Sequence, residues 1–296
     1  MEKTNRGRAS DEVRAILDDA AEGRTRWTAA ELRRLPNEPV QWLIEGLLAP
    51  GVTLFGAMQK EGKSVFAFQA ACAIAKGEKF LGRETRRTKV LYISIDEQST
   101  SVLKRQSFPF TEGDDEDSFN LIVGWPRFDQ GGLKTLTEYL VNNHEYGLVI
   151  IDTLQKWWPT SVKRGYDHDT EVMDALTRTL AGLKRPVAVL LVHHTKKKVR
   201  DGNWEESFYG SNGIPAGARN LWHIAKTSPV VPDEGPYVFH AKGRTIRGEA
   251  FRLMRKLHYF EELSVAGEQE ESHNFEWVLD DRSAGDKTSE GMLAGL

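Results

Sequence analysis

The sequence predicts an α/β fold, with a mostly parallel central sheet flanked by helices and a C-terminal β-hairpin extension. Three observations carry this prediction. From about residue 50, short β-rich apolar runs alternate with helical stretches, the pattern of a three-layer α/β domain. Leu148–Ile151 and Val187–Val192 are continuously apolar, as strands buried on both faces of a parallel sheet must be. A third run, Val52–Gly56, leads through a short loop containing Gly62 into a helix beginning at Lys63.

The remaining elements follow in chain order. Residues 1–10 are polar and aperiodic, while Val13, Ile16, Leu17 and Ala20 have helical spacing, so 1–25 reads as a flexible segment holding one short helix. A second short helix is predicted from Thr28 to Leu35, with Thr28 as N-cap and Glu31 three residues on. The main domain spans 26–265. Its strands are Val52–Gly56, Val90–Ile95, Asn120–Val123, Leu148–Ile151 and Val187–Val192, and its helices cover Lys63–Lys76 and about 131–142 and 169–183. After residue 220, Tyr237–Ala241 and Phe251–Leu257 flank a Gly- and Arg-rich turn and form a hairpin. Residues 266–296 hold a last strand, Asn274–Leu279, and an acidic tail expected to be disordered.

Composition excludes some classes. Hydrophobic residues are 40% and charged residues 28%, a soluble globular balance. No apolar run approaches the roughly 18–20 residues that span a bilayer, and no apolar core follows the basic start, so neither membrane span nor secretory signal is expected. The single cysteine, Cys72, cannot form an internal disulfide and sits in an apolar stretch, which fits a core thiol in the cytoplasm. The formal net charge of −3 does not advertise a polyanion partner, but the cations are clustered, at 83–89, 196–200 and 242–247.

The chemistry starts at the end of the first strand. Gly56-Ala57-Met58-Gln59-Lys60-Glu61-Gly62-Lys63-Ser64-Val65 is a Walker A loop in its strand–loop–helix setting. Backbone N–H groups of the loop and first helical turn point at phosphates, Lys63 reaches the β/γ-phosphates and Ser64 ligates Mg²⁺. The first glycine of the usual pattern is Ala57 here, so either Gly56 supplies the flexibility or Ala57 simply fits. Asp152 ends a buried strand in the Walker B manner and would hold the Mg²⁺ hydration shell; the bland alternative is a helix cap. Asp96 and Glu97 end another strand and compete as the carboxylate that polarises the attacking water, with Glu97 preferred. ATP and Mg²⁺ are the expected ligands.

Further motifs resemble one family. Pro39-Val-Gln-Trp42 to Gly51 resembles the entry segment of the AAA_25 group, RepA-like hexameric helicases and relatives within the RecA/DnaB superfamily of P-loop ATPases. Lys60 is similar to a lysine of that group's P-loop, and Val189–Lys197 resembles its strand end carrying a γ-phosphate sensor, which implies that role for His194. Tyr209–Arg219 resembles a segment whose arginine is a finger for the neighbouring subunit, here Arg219, and Lys242/Arg244 is similar to a pair that crosses the same interface. The resemblance covers about 26–257 and implies a RecA-like P-loop NTPase fold. Bottom-up, a strand-end histidine can donate to a phosphate oxygen, and cations supplied in trans stabilise the transferring phosphoryl. The competing readings are a capped histidine and solvated surface charge.

Two loops, 155–168 and 196–207, mix cations with aromatics, including Trp157, Trp158 and Trp204. In RecA-like rings such loops hold single-stranded nucleic acid, which gives Lys163, Arg164, Lys197, Lys198 and Arg200 as candidate contacts. Trp157 and Trp158 compete as core or interface packing. The expected function is an ATP-driven motor on single-stranded DNA, a RepA-like replicative helicase or translocase working as a homo-oligomeric, hexameric ring with replication or recombination partners. The alternative is a non-helicase ATP switch (loader, recombination mediator or regulator). A small-molecule kinase is a third class that the trans fingers disfavour.

Overall fold

The computed structural model describes residues 27–36, 39–97, 99, 115–160, 165–196, 203–227, 236–263 and 269–280, with backbone alone at 116 and over 257–274. The chain divides into two compact units, Met1–Val40 and Gln41–Leu296. In the first, helix α1 (Ala29–Arg34) begins at Thr28, whose N–H donates to Glu31 Oε2 at 2.7 Å while Glu31 N–H donates back to Thr28 Oγ1 at 3.3 Å. The two residues form a capping box, as their spacing predicts. The helix expected within 11–25 and the tail beyond 280 lie outside the described residues.

The second unit is built on one nine-stranded sheet, in the order β3-β2-β4-β5-β1-β6-β7-β8-β9. Its strands are β1 (Gly51–Ala57), β2 (Lys89–Ser94), β3 (Phe119–Val123), β4 (Tyr146–Asp152), β5 (Ala188–His194), β6 (Asn220–Lys226), β7 (Tyr237–Gly243), β8 (Glu249–Leu263) and β9 (Gln269–Leu279). The first six strands pair in parallel; β6 to β9 pair antiparallel. The central strands β4 and β5 are buried along nearly their whole length, so both faces need covering.

Helix α2 (Lys63–Lys76) covers one face, packing Phe66, Phe68 and a run of alanines against Phe55, Tyr92 and Trp222. Helices α3 (Gly132–Asn142) and α5 (Tyr166–Gly182) cover the other, meeting Val149, Ile151, Leu191 and Trp157 of the short helix α4 (Leu154–Trp157). A last short helix, α6 (Gly213–Gly217), precedes β6. The predicted strands, α2, α3 and the hairpin are all present. Strand β6 is not among the predicted elements, and β8 runs well past the expected Leu257. Among the described residues, no helix is long and apolar enough to cross a membrane.

Candidate nucleotide site

The site lies at the carboxyl-terminal edge of the parallel strands. Strand β5 separates β1 from β4, so the ends of those two strands lie about 10 Å apart. The register sets Ser94 beside Asp152, Asp152 beside Val192, Gly56 beside His193 and Ala57 beside His194. Four strand ends therefore present their side chains in one row, next to the start of α2.

The loop from Met58 to Gly62 turns through left-handed backbone at Lys60 (φ 66°) and Gly62 (φ 74°). Gly62 is the N-cap of α2 and no side chain caps the helix, which leaves the first-turn N–H groups for an anion. Ala57 is the last residue of β1, paired with His194 and Ile224, so its backbone is extended and a glycine is not required there. Gly56 does not supply loop flexibility: it sits within β1, where a Cβ would overlap Phe208 and Thr195. Its lack of a side chain serves packing. Met58 and Glu61 border a cavity of about 300 Å³, Gln59 lines a larger cleft, and Val65 packs into the core under α2.

Lys63 is only 5% exposed and donates from Nζ to the Met58 carbonyl at 2.7 Å. Burial lowers its pKa to about 8, against the opposing pull of Asp152, Glu61 and Asp96. Asp152 is buried as well. Its Oδ2 accepts from the Tyr92 hydroxyl at 2.7 Å, and its Oδ1 has no protein hydrogen-bond partner. Desolvation raises its pKa, while neighbouring Ser64 and Tyr92 hydroxyls and Lys63 hold the ionised form. A buried, unpartnered carboxylate oxygen next to a serine hydroxyl is a hard-oxygen donor set that fits Mg²⁺ with its water shell.

The two strand-end acids separate. Asp96 is exposed and lines a cleft of about 840 Å³ beside the loop, 3.7 Å from Lys156 Nζ. Its charge is felt at Lys63, Asp152 and His194. Glu97 is tied into a local turn: Oε1 accepts from Ser99 N–H at 2.6 Å, and its carbonyl accepts from Ser94 Oγ at 2.7 Å. His194 lines the same cleft; burial lowers its pKa and Lys63 lowers it further, and its Nδ1 is buried without a partner. His193 is more buried, with a pKa of about 4 set mainly by desolvation. Its Nε2 must donate to the Tyr209 carbonyl, at 2.9 Å, which leaves Nδ1 as an unused buried acceptor.

The remaining candidates lie elsewhere. Arg219 precedes β6 and donates from its backbone N–H to Val52 O at 2.9 Å, and Arg244 N–H donates to Arg219 O at 3.0 Å. Lys242 pairs with Leu221 in the ladder and forms an ion pair with Glu205. Arg219 and Arg244 belong to the amino-terminal end of the parallel strands, with Arg219 level with Val52 and thus roughly 17 Å along β1 from Ala57, whereas Lys242 is level with Leu54, midway along β1. Lys163, Arg164, Lys197, Lys198 and Arg200 lie outside the described residues. The three loop tryptophans are engaged within the fold, while Tyr166 is 55% exposed. Trp157 is a core residue, 1% exposed, Trp158 Nε1 donates to Asp169 Oδ1 at 3.2 Å, and Trp204 lies over the adjacent rings of His223 and His240, at 5.4 and 5.5 Å.

Sequence reasoning missed Tyr92 and the residues of β8 and β9 that touch the loop. Trp277 Nε1 donates to Gly62 O at 3.2 Å, and Trp277 and Gln69 exchange two hydrogen bonds, at 2.9 and 3.0 Å. A tyrosine inside an apolar strand was the available signal for Tyr92, because a buried phenol needs an acceptor. The later contacts join residues some two hundred positions apart and leave no local signal.

A strand–loop–helix cradle, a buried lysine and an acid two strands away define a P-loop nucleoside triphosphatase on a RecA-like sheet. The chain belongs to the AAA_25 family, described as an AAA domain, which matches residues 19–200. Among solved structures it is similar to a DnaB-like replicative helicase described with its interactions with primase, at 13% identity and a TM-score of 0.52, over 84% of this chain and 73% of that one. It is also similar to the RadB recombinase, at 14% identity and a TM-score of 0.46, over 70% of this chain and 88% of that one. At these identities the likeness is one of fold. No curated protein matches the sequence.

Proposed function

We propose that this chain hydrolyses ATP with Mg²⁺ as a motor on single-stranded DNA, a RepA-like replicative helicase or translocase acting as a ring of identical copies. The observation that carries this reading is the split between two edges of the sheet. Lys63, Ser64, Asp152, Asp96 and His194 gather at one edge, while Arg219 and Arg244 belong to the opposite end of the strands, away from their own P-loop, and Lys242 lies between, paired with Glu205. Arginines so placed are suited to a neighbouring copy's nucleotide, as trans fingers are in phosphoryl transfer.

In this reading the α2 N-terminus and Lys63 bind the β/γ-phosphates, and Ser64 and Asp152 hold Mg²⁺, which neutralises phosphate charge when bound. Asp96, at the cleft, orients and polarises the attacking water in preference to Glu97. Neutral His194 is placed to donate to or accept from the γ-phosphate region as the proton on its ring allows. A specific observation favours the alternative of a non-helicase ATP switch: Trp157, Trp158 and Trp204 are engaged in packing and are not free to stack on bases.

ATP hydrolysis with and without single-stranded DNA, together with the mass in solution with ATP, tests the proposal. Strong stimulation and a ring-sized assembly are expected. A DNA-indifferent monomer or dimer that still hydrolyses ATP would replace the motor with the switch.

A further inference from the structure

The C-terminal strands carry a cation that the nucleotide reading does not use. Arg255 of β8 has a side chain only 8% exposed, boxed by three aromatic rings. Its guanidinium carbon lies 4.6 Å from the Tyr237 ring centre, 4.5 Å from Phe275 and 5.1 Å from Trp277. The polar partner of this box is Glu61 of the phosphate loop, whose Oε2 accepts from Arg255 Nη2 at 3.3 Å and whose side chain is 17% exposed. Arg255 Nε is buried with no partner at all. Phe275 and Trp277 also occupy the space where a side chain on Gly62 would stand.

A carboxylate inside an anion-binding loop opposes its ligand. Glu61 is two residues from Lys63 and acts on that ammonium directly. With no cation of its own, Glu61 would repel the phosphates and compete with them for Lys63. Arg255 cannot relax toward solvent to serve another group, because the aromatic box fixes its plane, and cation–π contacts strengthen when desolvated. Such a half-buried pair contributes mainly through the penalty of leaving one member alone.

We infer that Arg255 is a positioning residue for the phosphate loop: it neutralises Glu61, so that triphosphate affinity depends on the docking of β8 and β9. The inference rests on the reading of the loop as a nucleotide cradle. It makes the C-terminal ribbon part of the nucleotide site without touching the ligand.

The test is equilibrium binding of a fluorescent ATP analogue to the full chain and to R255M, E61Q and the R255M/E61Q pair, with K63M as the control for the cradle. R255M keeps the bulk in the aromatic box and is expected to weaken binding about tenfold, or 1.4 kcal/mol. Removing the orphaned carboxylate in R255M/E61Q is expected to restore affinity to within about threefold of the native chain. In steady state R255M should raise KM for ATP and leave kcat nearly unchanged. Native affinity in R255M would overturn the inference, and so would a double variant as weak as R255M, which would make Arg255 a packing residue only. Should R255M fail to fold, E61Q alone decides: the inference requires binding as tight as native or tighter, and weaker binding refutes it. Binding by the native chain that K63M does not reduce would instead remove the cradle reading itself.

Discussion

Lys63→Met should stabilise the nucleotide-free protein while abolishing its nucleotide response. The ammonium is 5% exposed and its pKa falls from 10.5 to about 8, chiefly through desolvation. A depression of that size corresponds to about 3 kcal/mol, at 1.36 kcal/mol per unit. The sign follows from linkage. Above both pKa values the lysine is neutral folded or unfolded and costs nothing. As pH falls through 10.5 the unfolded chain takes up the proton first, so the native state loses stability until about pH 8, below which the full cost persists. At pH 7 the methionine variant is therefore expected to melt later by several degrees, given about 2–4 °C per kcal/mol for a domain of this size. The gap should close near pH 10.5. Saturating ATP at a hundred times Kd should add about 2.7 kcal/mol to the native chain and nothing to the variant. Paired thermal melts at pH 7 and pH 10, with and without ATP and Mg²⁺, give all four numbers. A variant no more stable than native at pH 7, or a gap that fails to narrow at alkaline pH, refutes the buried-ammonium argument.

Asp96→Asn is expected to lower kcat for ATP about 10²–10⁴-fold with nucleotide binding retained, and Glu97→Gln to change it little. The reverse ranking in single-turnover hydrolysis would return the role to Glu97. Gly56→Ala should destabilise the fold by about 1–3 kcal/mol, because its Cβ meets Phe208 and Thr195. Urea titration reads that loss, and an unchanged midpoint would show that β1 has room there.

How much of this was legible in the residues depends on the range of the interaction that fixes each part. Strands β1, β4 and β5 are apolar over nearly every position, and burial on both faces leaves no other pattern open to them. The capping box of α1 is a contact between Thr28 and Glu31, three residues apart, and reads directly. Strand β6 carries Asn220, His223 and Lys226 among its apolar residues, and only the pairing with β1 and β7 makes Trp222 and Ile224 a buried row. The far half of β8, Leu257–Leu263, ends in Glu261-Glu262-Leu263 without a strand-like alternation, and is held by its ladder with β9. Within the site, Lys63, Ser64 and Asp152 announce themselves because their chemistry is tied to a strand end. Tyr92 and Arg255 do not, since each acts through a residue brought beside it only by the folded sheet.

The same electrostatics bear on the proposed ring. Near the phosphate loop the described chain sets Lys63 against three carboxylates, Asp152, Glu61 and Asp96. One of these, Glu61, has Arg255 as its partner, and Asp96 has only a distant contact with Lys156 at the surface. A triphosphate adds several more negative charges to this edge. Against them stand the buried Lys63, the more exposed Lys60, Lys156 and Lys196 around the loop, and a helix N-terminus worth about half a charge. In the proposed reading, Mg²⁺ at Ser64 and Asp152 offsets part of that charge, and a neighbouring copy would supply the rest. Under the proposed ring, Arg219 and Arg244, at the end of the strands away from the chain's own site, would be the cations that head-to-tail stacking sets against the next copy's phosphates. A heterologous contact of that kind closes into a ring when its rotation divides the circle, and in the proposed ring it would couple hydrolysis in one copy to the geometry of its neighbour.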